Sequence, residues 1–219
     1  LRPHKAVIAN IDNDHLETYA NSFKNLKKSF RKFCLNIPFQ GKLFANGDYQ
    51  EVLEVVENLP RNISLYGFED INDLQILEFT QNKNGSHFSL FDKKNNNKMN
   101  FKTNMIGKHN VLNVAAAIAV ALDEGIPYEG IKKALEKFIV IERRFQLISE
   151  NVFEKDIILI DDYGHHPKEL LVSINTAKEV WPDREILVVF QPHRDTSTKA
   201  LFEDFGSILS DCKNLILLE

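Results

Sequence analysis

The carboxy-terminal third of the chain alternates short apolar runs with helical patterns, and this alternation constrains the fold more than any other feature. Apolar runs at 156–160, 185–190 and 214–218 are separated by helical patterns at 167–180 and 198–209. Strands that alternate with helices form βαβ units, in which the strands are parallel. The sequence therefore predicts an α/β fold with a Rossmann-like parallel sheet, although no Gly-x-Gly-x-x-Gly fingerprint accompanies it.

Polar side chains follow the first two of these strands. The first is followed by the stretch Asp161-Asp162-Tyr163-Gly164-His165-His166-Pro167, and the second by Gln191-Pro192-His193-Arg194-Asp195-Thr196. Open α/β sheets bind ligands at the carboxyl ends of their strands, so we predict a ligand site lined by these clusters. For the first stretch alone, a solvated turn with a capped helix is the alternative.

The rest of the chain predicts a second α/β region. We expect strands at 5–9, 42–45 and 63–68, a helix near 49–58, and an amphipathic helix with Phe23, Leu26, Phe30 and Phe33 facing inward. The period then changes to two at 74–80, 86–91 and 99–103, with polar turns between, which predicts an inserted antiparallel subsheet. Helices at 114–122 and 128–138 follow, the second after the start signal Ile126-Pro127.

Two groups of residues in this region are candidates for ligand contacts. Asp14, His15 and Glu17 follow the first strand and are candidates to hold a metal ion or a phosphate-linked water; a capped helix entry with a packing histidine is the alternative. Asn110 and Asn113 are three residues apart, so their amides share one face of a helix and can meet one planar ligand. Capping explains Asn110 but leaves Asn113 without a reason.

Arginines precede the carboxy-terminal region. Arg143 and Arg144 carry planar guanidinium groups that suit phosphate oxygens, and an ordinary surface arginine pair is the alternative.

Composition excludes several classes of protein. The 27 basic and 31 acidic side chains give a formal net charge of -4, which argues against binding nucleic acid through its phosphates. The basic cluster at 24–32 has helical spacing and is expected to be the solvated side of one helix. No apolar run is long enough to span a membrane. Cys34 and Cys212 form no Cys-x-x-Cys pair, so we expect neither a disulfide nor a zinc site, and a reducing, cytoplasmic location.

Together the motifs resemble the Mur ligase family. The resemblance covers essentially the whole chain and rests on motifs in the family's order: 10–19, Gly107 to Asn113 with the alanine-rich helix, Arg143-Arg144-Phe145, 161–167, and Phe190 to Arg194. It implies a partial central ATP-binding domain at 1–148 and a partial carboxy-terminal Rossmann-like domain at 149–219. The family's phosphate-binding Gly-Lys-Thr/Ser loop is missing, so we expect a piece of a longer protein that does not turn over alone.

The resemblance also implies roles for individual residues. His15 matches a histidine that helps to hold magnesium, and Arg144 matches an arginine at the ATP phosphates. Asn110 and Asn113 match the pair beside the adenine, and Asp162 an acidic residue at the ribose. Four further residues would meet the incoming amino acid or the acyl phosphate: His165, His166, His193 and Arg194.

The implied function is ATP- and Mg²⁺-dependent ligation of L-alanine to UDP-N-acetylmuramate through an acyl phosphate, in peptidoglycan synthesis. The alternatives are a ligase that adds a recycled murein peptide to the same sugar nucleotide, and a non-catalytic protein that keeps the fold. Asp195 and Ser197 replace a tyrosine and an arginine of the family pattern, which leaves amino-acid preference open. Glu142 stands where the family commonly has glycine, and Glu17 where it has aspartate.

Overall fold

The structure is a computed structural model that describes residues 2–13, 16–138, 142–152, 154–192 and 201–218. The chain divides into two compact units. Unit 1 comprises Leu1–Thr80, Gly85–Asn104 and Lys108–Phe138, and unit 2 comprises Gln81–Asn84, Met105–Gly107 and Ile139–Glu219. The domain boundary expected at residue 148 stays a prediction.

Unit 1 is built on a six-stranded sheet in the order β1-β2-β3-β4-β5-β6. The strands are β1 Lys5–Ile8, β2 Lys42–Asn46, β3 Asn62–Gly67, β4 Leu74–Asn82, β5 Gly85–Asp92 and β6 Asn97–Thr103. The first four strands run parallel, whereas β5 and β6 pair antiparallel. The antiparallel strands were predicted, and the structure shows that they extend the parallel sheet rather than form a subsheet of their own.

The helices of unit 1 are α1 Phe23–Leu35, α2 Gln50–Val56, α3 Lys108–Asp123 and α4 Tyr128–Lys137, with a short 3-10 helix at Leu16–Tyr19. Ser22 caps α1, because its side chain accepts a hydrogen bond from the Asn25 N–H at 3.4 Å. The predicted inward face of α1 is confirmed: Leu26 is buried, and the three phenylalanines pack against the same apolar core. That core joins α1 and α2 to β1 and β2.

The basic face of α1 is only partly solvated. Lys24, Lys28 and Lys32 are exposed, as expected. Arg31 instead donates to the carbonyl oxygens of Val55 and Glu57, both at 2.8 Å, at the carboxyl end of α2. A cation at this end of a helix is favourable because the last carbonyl groups lack partners within the helix.

One carboxylate ties the end of α3 to two strands. Lys5 Nζ lies 2.6 Å from Asp123 Oδ2, and Lys42 Nζ lies 2.8 Å from Asp123 Oδ1. Burial opposes ionisation of this carboxyl, but the hydrogen bonds from Lys42 and Lys5 prevail and lower the pKa of Asp123. The charged form of Asp123 therefore stabilises unit 1.

The described residues of unit 2 form two small sheets and two helices. Its elements are β7 Gln146–Ser149, β8 Leu159–Asp161, α5 Pro167–Val180, β9 Leu187–Phe190, α6 Phe202–Ser210 and β10 Asn214–Leu217. As predicted, β9 and β10 are parallel. An apolar core made by Leu170, Ile174, Phe190, Phe205 and Leu209 packs the two helices against them.

Strand β8 differs from its prediction. It begins at Leu159 rather than at Asp156, and it pairs antiparallel with β7, a strand the sequence patterns did not predict. Asp156 is held instead by Arg184, whose guanidinium donates to its carboxylate at 2.7 Å and to its carbonyl at 3.2 Å. The Ile157 N–H bonds the Lys155 carbonyl at 2.7 Å. These local bonds occupy groups that a longer strand would need.

Across the described residues, no helix combines the length and the apolar composition that a membrane crossing requires.

Candidate functional site

The stretch Asp161 to Pro167 links the end of β8 to the start of α5, as predicted. Pro167 is the first residue of α5, where its fixed φ suits a helix and its missing N–H costs nothing. His166 caps the helix, because its Nδ1 accepts a hydrogen bond from the Lys168 N–H at 3.3 Å. Nδ1 therefore acts as an acceptor, which assigns the proton of the neutral ring to Nε2. The capped-helix interpretation thus holds for His166, a residue type outside the usual caps.

Asp162 ties three segments of unit 2 together. Its Oδ2 accepts hydrogen bonds from the Phe145 N–H at 2.8 Å and the Ser173 hydroxyl at 3.0 Å. Its Oδ1 accepts from the Gly164 N–H at 2.7 Å. A carboxylate offers about four lone-pair positions, so these bonds leave room for one more donor. The predicted contact between Asp162 and a ribose hydroxyl stays a prediction. The bonds also give Asp162 a structural role that the sequence did not indicate.

The turn that carries the two arginines is strained. Arg143 and Phe145 have φ values of 57° and 49°, the left-handed region that side chains with a Cβ rarely adopt. Such conformations cost on the order of 1–3 kcal/mol each and persist only when their surroundings fix them. Here the Arg143 carbonyl accepts from the Tyr163 N–H at 2.8 Å, and the Arg143 N–H donates to Gln146 Oε1 at 2.9 Å. Together with Asp162, these bonds fix the backbone on both sides of Arg144.

The two arginines have different surroundings. Arg143 lies over the Tyr163 ring, with its Cζ 5.0 Å from the ring centroid, and its Nε is 3.4 Å from Asp161 Oδ2. These contacts hold it against the strand end. Arg144 instead donates from one terminal nitrogen to Glu169 Oε1 at 3.2 Å. Since a guanidinium carries five N–H donors, Arg144 retains donors for an anion.

Glu169 joins Arg144 to the predicted histidine. Its Oε2 accepts from the backbone N–H of His165 at 3.1 Å and lies 3.2 Å from the ring atom Nδ1 of the same residue. The His165 ring lies beside Tyr163, with centroids 5.2 Å apart. Glu169 was not predicted; the available signal was a carboxylate in the first turn of a helix, four residues after a histidine. Arg144 and His165 are therefore brought together by one side chain.

The asparagine pair lies in unit 1 on α3. The helix begins at Lys108, so Asn110 is its third residue and the capping interpretation of Asn110 is wrong. Asn113 lies one turn on rather than in the first turn. Asn110 is 2% exposed and has a polar contact of its own, whereas Asn113 is exposed. Of the two amides, only that of Asn113 is open to solvent.

A second polar cluster in unit 1 was missed by the sequence analysis. The carboxylate of Asp48, just after β2, accepts from the N–H groups of Phe68 and Glu69 and from the Asn72 amide, at 2.8–2.9 Å. Gly67 is required here, because a Cβ at that position would lie 2.2 Å from Asp48 Oδ1. The hydroxyl of buried Tyr66 has no hydrogen-bond partner among the described residues, and burial raises the pKa of that phenol. The bonds to Asp48 therefore connect the segment after β2 to the segment after β3.

Three of the predicted site residues, His15, His193 and Arg194, lie outside the described residues, as do Asp195 and Ser197. In the part of the chain that the structure covers, no three His, Cys, Asp or Glu side chains are grouped to hold a metal ion.

Comparison with known proteins decides the family. The model of the Mur ligase middle domain matches residues 1–121, and that of the Mur ligase glutamate ligase domain matches residues 143–219. The chain belongs to the Mur ligase family. The expected family and the α/β fold class are thereby confirmed.

Individual Mur ligases resemble the whole chain. The UDP-N-acetylmuramate–L-alanine ligase of Psychrobacter arcticus is 39% identical over 100% of the chain, which spans 46% of that relative. The structure of UDP-N-acetylmuramate-alanine ligase from Thermotoga maritima aligns with a TM-score of 0.76 and 26% identity, over 100% of this chain and 51% of that one. The MurF ligase of Thermotoga maritima, solved in complex with ADP, has a TM-score of 0.76 over 99% of this chain and 48% of that one. At 16% identity it supports the fold alone.

Proposed function

We propose that the protein carrying this chain is an ATP-dependent ligase that joins L-alanine to UDP-N-acetylmuramate in peptidoglycan synthesis. The Psychrobacter relative that bears this name is 39% identical across the entire chain, although the chain spans only 46% of it. The structural observation that carries the proposal is the grouping of Arg144 and His165 around Glu169 at the start of α5. A guanidinium and an imidazole that both approach one carboxylate suit an anionic reactant.

Arg144 is proposed to neutralise charge on the nucleotide phosphates. Its half-exposed side chain has donors beyond the one that meets Glu169, and its backbone is fixed on both sides. Fixed donors stabilise developing charge without reorganising during the reaction. When bound, ATP supplies the phosphoryl group that activates the substrate carboxylate. This chemistry depends on positioning and charge neutralisation, so it requires no nucleophilic serine or cysteine.

The remaining proposed roles follow the family pattern. Asn110 and Asn113 contact the adenine, with exposed Asn113 the better supported of the two. Asp162 contacts the ribose through its remaining lone pair. His165, His166 and Arg194 meet the amino acid or the acyl phosphate; for His166, the buried Nε2–H has no hydrogen-bond partner among the described residues and is the group available to donate.

Magnesium is part of the proposal through His15. That residue lies outside the described residues, and the described residues supply no group of three ligands for a metal ion. We also propose a cytoplasmic location, which fits two cysteines that are both free, one of them buried.

The second candidate is the ligase that returns a murein peptide to the same sugar nucleotide. Tyr163-Gly164 and the Gln191-Pro192-His193-Arg194 segment favour the alanine-adding enzyme instead. A non-catalytic scaffold has no physical need to hold Arg144 in a strained turn beside His165.

The test is phosphate release by the full-length protein with ATP, Mg²⁺ and UDP-N-acetylmuramate across a panel of amino acids and peptides. L-Alanine is expected to give the highest kcat/KM. A preference for glycine, serine or a tripeptide would contradict the proposed substrate, and no stimulation by any of them would support the scaffold.

A further inference from the structure

Glu169 contacts two of the residues that are predicted to meet the ligands, Arg144 and His165, and the family resemblance implies no role for it. It is the third residue of α5, whose start is fixed by Pro167 and by the cap that His166 provides. A side chain in a well-fixed first turn has a restricted range of positions. The carboxylate of Glu169 is thus a stable point to which neighbouring groups can be tied.

The two oxygens of this carboxylate serve different partners. Oε1 accepts from Arg144 at 3.2 Å. Oε2 accepts from the backbone N–H of His165 at 3.1 Å and lies 3.2 Å from Nδ1 of its imidazole ring. We propose that Glu169 is a positioning residue that sets the Arg144 guanidinium and the His165 imidazole relative to each other for the ligation reaction. This inference rests on the proposed function.

The exposure of the ion pair indicates that it contributes little to the stability of the fold. The side chains of Arg144 and Glu169 are 45% and 34% exposed. Ion pairs in such surroundings add little to stability because water screens the charges. Loss of the pair therefore leaves the fold intact and frees a long arginine side chain to explore other rotamers.

The greater freedom of the Arg144 side chain is expected to affect the reaction rate more than it affects the stability of the fold. A reacting group displaced by about 1 Å can lose roughly 100-fold in rate. Glu169→Gln keeps the size of the side chain and one acceptor oxygen but removes the charge and the second acceptor. In the full-length protein, kcat is expected to fall by roughly tenfold to 100-fold, with a smaller change in KM for ATP, because the lost interaction matters most in the transition state.

A matched control is Glu129→Gln. Glu129 is also a glutamate in the first turn of a helix, α4, and it is exposed. Its replacement removes the same favourable interaction with a helix dipole and leaves Arg144 and His165 untouched. The control should keep kcat within about twofold of the wild type.

A double-mutant cycle separates positioning from an independent effect. If Glu169 acts in part through Arg144 and in part through His165, then Glu169→Gln should slow Arg144→Ala by a smaller factor than it slows the wild type. Multiplication of the two single effects would overturn the proposal, as would wild-type kcat in Glu169→Gln. If the wild type itself shows no alanine-dependent phosphate release, the proposed function fails. If the wild type is active and Glu169→Gln is unchanged, only the positioning role fails.

Discussion

Replacement of Asp162 by asparagine changes only one oxygen into an NH₂ group, yet it should clearly destabilise unit 2. The carboxylate accepts from two backbone N–H groups, those of Phe145 and Gly164, and from the Ser173 hydroxyl. An asparagine has one acceptor oxygen, so whichever way its amide turns, an NH₂ group faces at least one of the two N–H groups.

The expected magnitude follows from these bonds. A hydrogen bond to a charged group contributes about 1.5–3 kcal/mol, and an N–H left unpaired in a partly buried position costs about 1–3 kcal/mol. The serine hydroxyl can rotate and recover part of its loss. We therefore expect Asp162→Asn to lower the free energy of unfolding by roughly 2 kcal/mol, and Asp162→Ala by roughly 3–5 kcal/mol, since all three donors lose their partner.

The chain provides its own probe for this measurement. Trp181 is the single tryptophan, and its ring lies 6.4 Å from that of Phe145, the residue whose N–H binds Asp162. Urea unfolding followed by tryptophan fluorescence therefore reports on the segment that the substitution perturbs.

Asp161→Asn is the matched control. Asp161 is the neighbouring aspartate, and its carboxylate makes only a 3.4 Å contact with the exposed Arg143 side chain. Its replacement should cost no more than about 0.5 kcal/mol. Equal unfolding midpoints for Asp161→Asn and Asp162→Asn would refute the view that Asp162 holds the arginine turn. ATP binding by Asp162→Asn, measured where the variant is still folded, then tests the ribose contact separately.

Two further predictions concern unit 1. Lys5 and Lys42 lower the folded-state pKa of Asp123, so its stabilisation is complete above the unfolded pKa of about 3.9 and is lost as the pH falls through the folded value. Asp123→Asn should lower the free energy of unfolding by about 1 kcal/mol at pH 7 and leave it unchanged near pH 2. Urea unfolding at both pH values measures this difference, and an equal loss at both would contradict the ion-pair account. Burial raises the pKa of the Cys34 thiol to about 11, so a thiol-specific reagent at pH 8 should label Cys212 and spare Cys34 until urea unfolds the chain. Rapid labelling of Cys34 in the native protein would contradict its burial.

The sequence predicted the elements of the fold best where a long pattern and its boundaries agreed. Helix α5 begins and ends at the predicted residues, because an apolar stripe of helical period follows a proline start. Strand β8 was predicted too long, because bonds from Arg184 to Asp156 are specific to the folded chain and leave no periodic signal. Its antiparallel partner β7 has four residues, too few for alternation to be recognised.

The candidate site was predictable as a location but not as a set of contacts. The titratable cluster at 161–167 marked the strand end, and the arginine pair marked the loop that faces it. The sequence does not show that Arg143 and Phe145 adopt left-handed conformations, since neither is a glycine and such strain is stable only with the bonds around it. Glu169 was missed for a related reason: a glutamate in the first helical turn is common, and only the structure shows both of its oxygens in use.

The two carboxylates of the site, Asp162 and Glu169, have different roles: one stabilises the fold and the other orients side chains. Asp162 bonds mainly to backbone N–H groups, so it determines where the chain runs, and its loss exposes donors that nothing else in the described contacts replaces. Glu169 accepts one hydrogen bond from the half-exposed Arg144 side chain and one from the His165 backbone N–H, so loss of its charge costs less folding free energy but frees the groups that are proposed to meet the substrates. Asparagine at 162 should therefore lower stability first and activity as a consequence, whereas glutamine at 169 should lower activity at nearly constant stability. Stability and activity measured for both variants therefore distinguish the residue that holds the backbone of the site from the residue that orients its side chains.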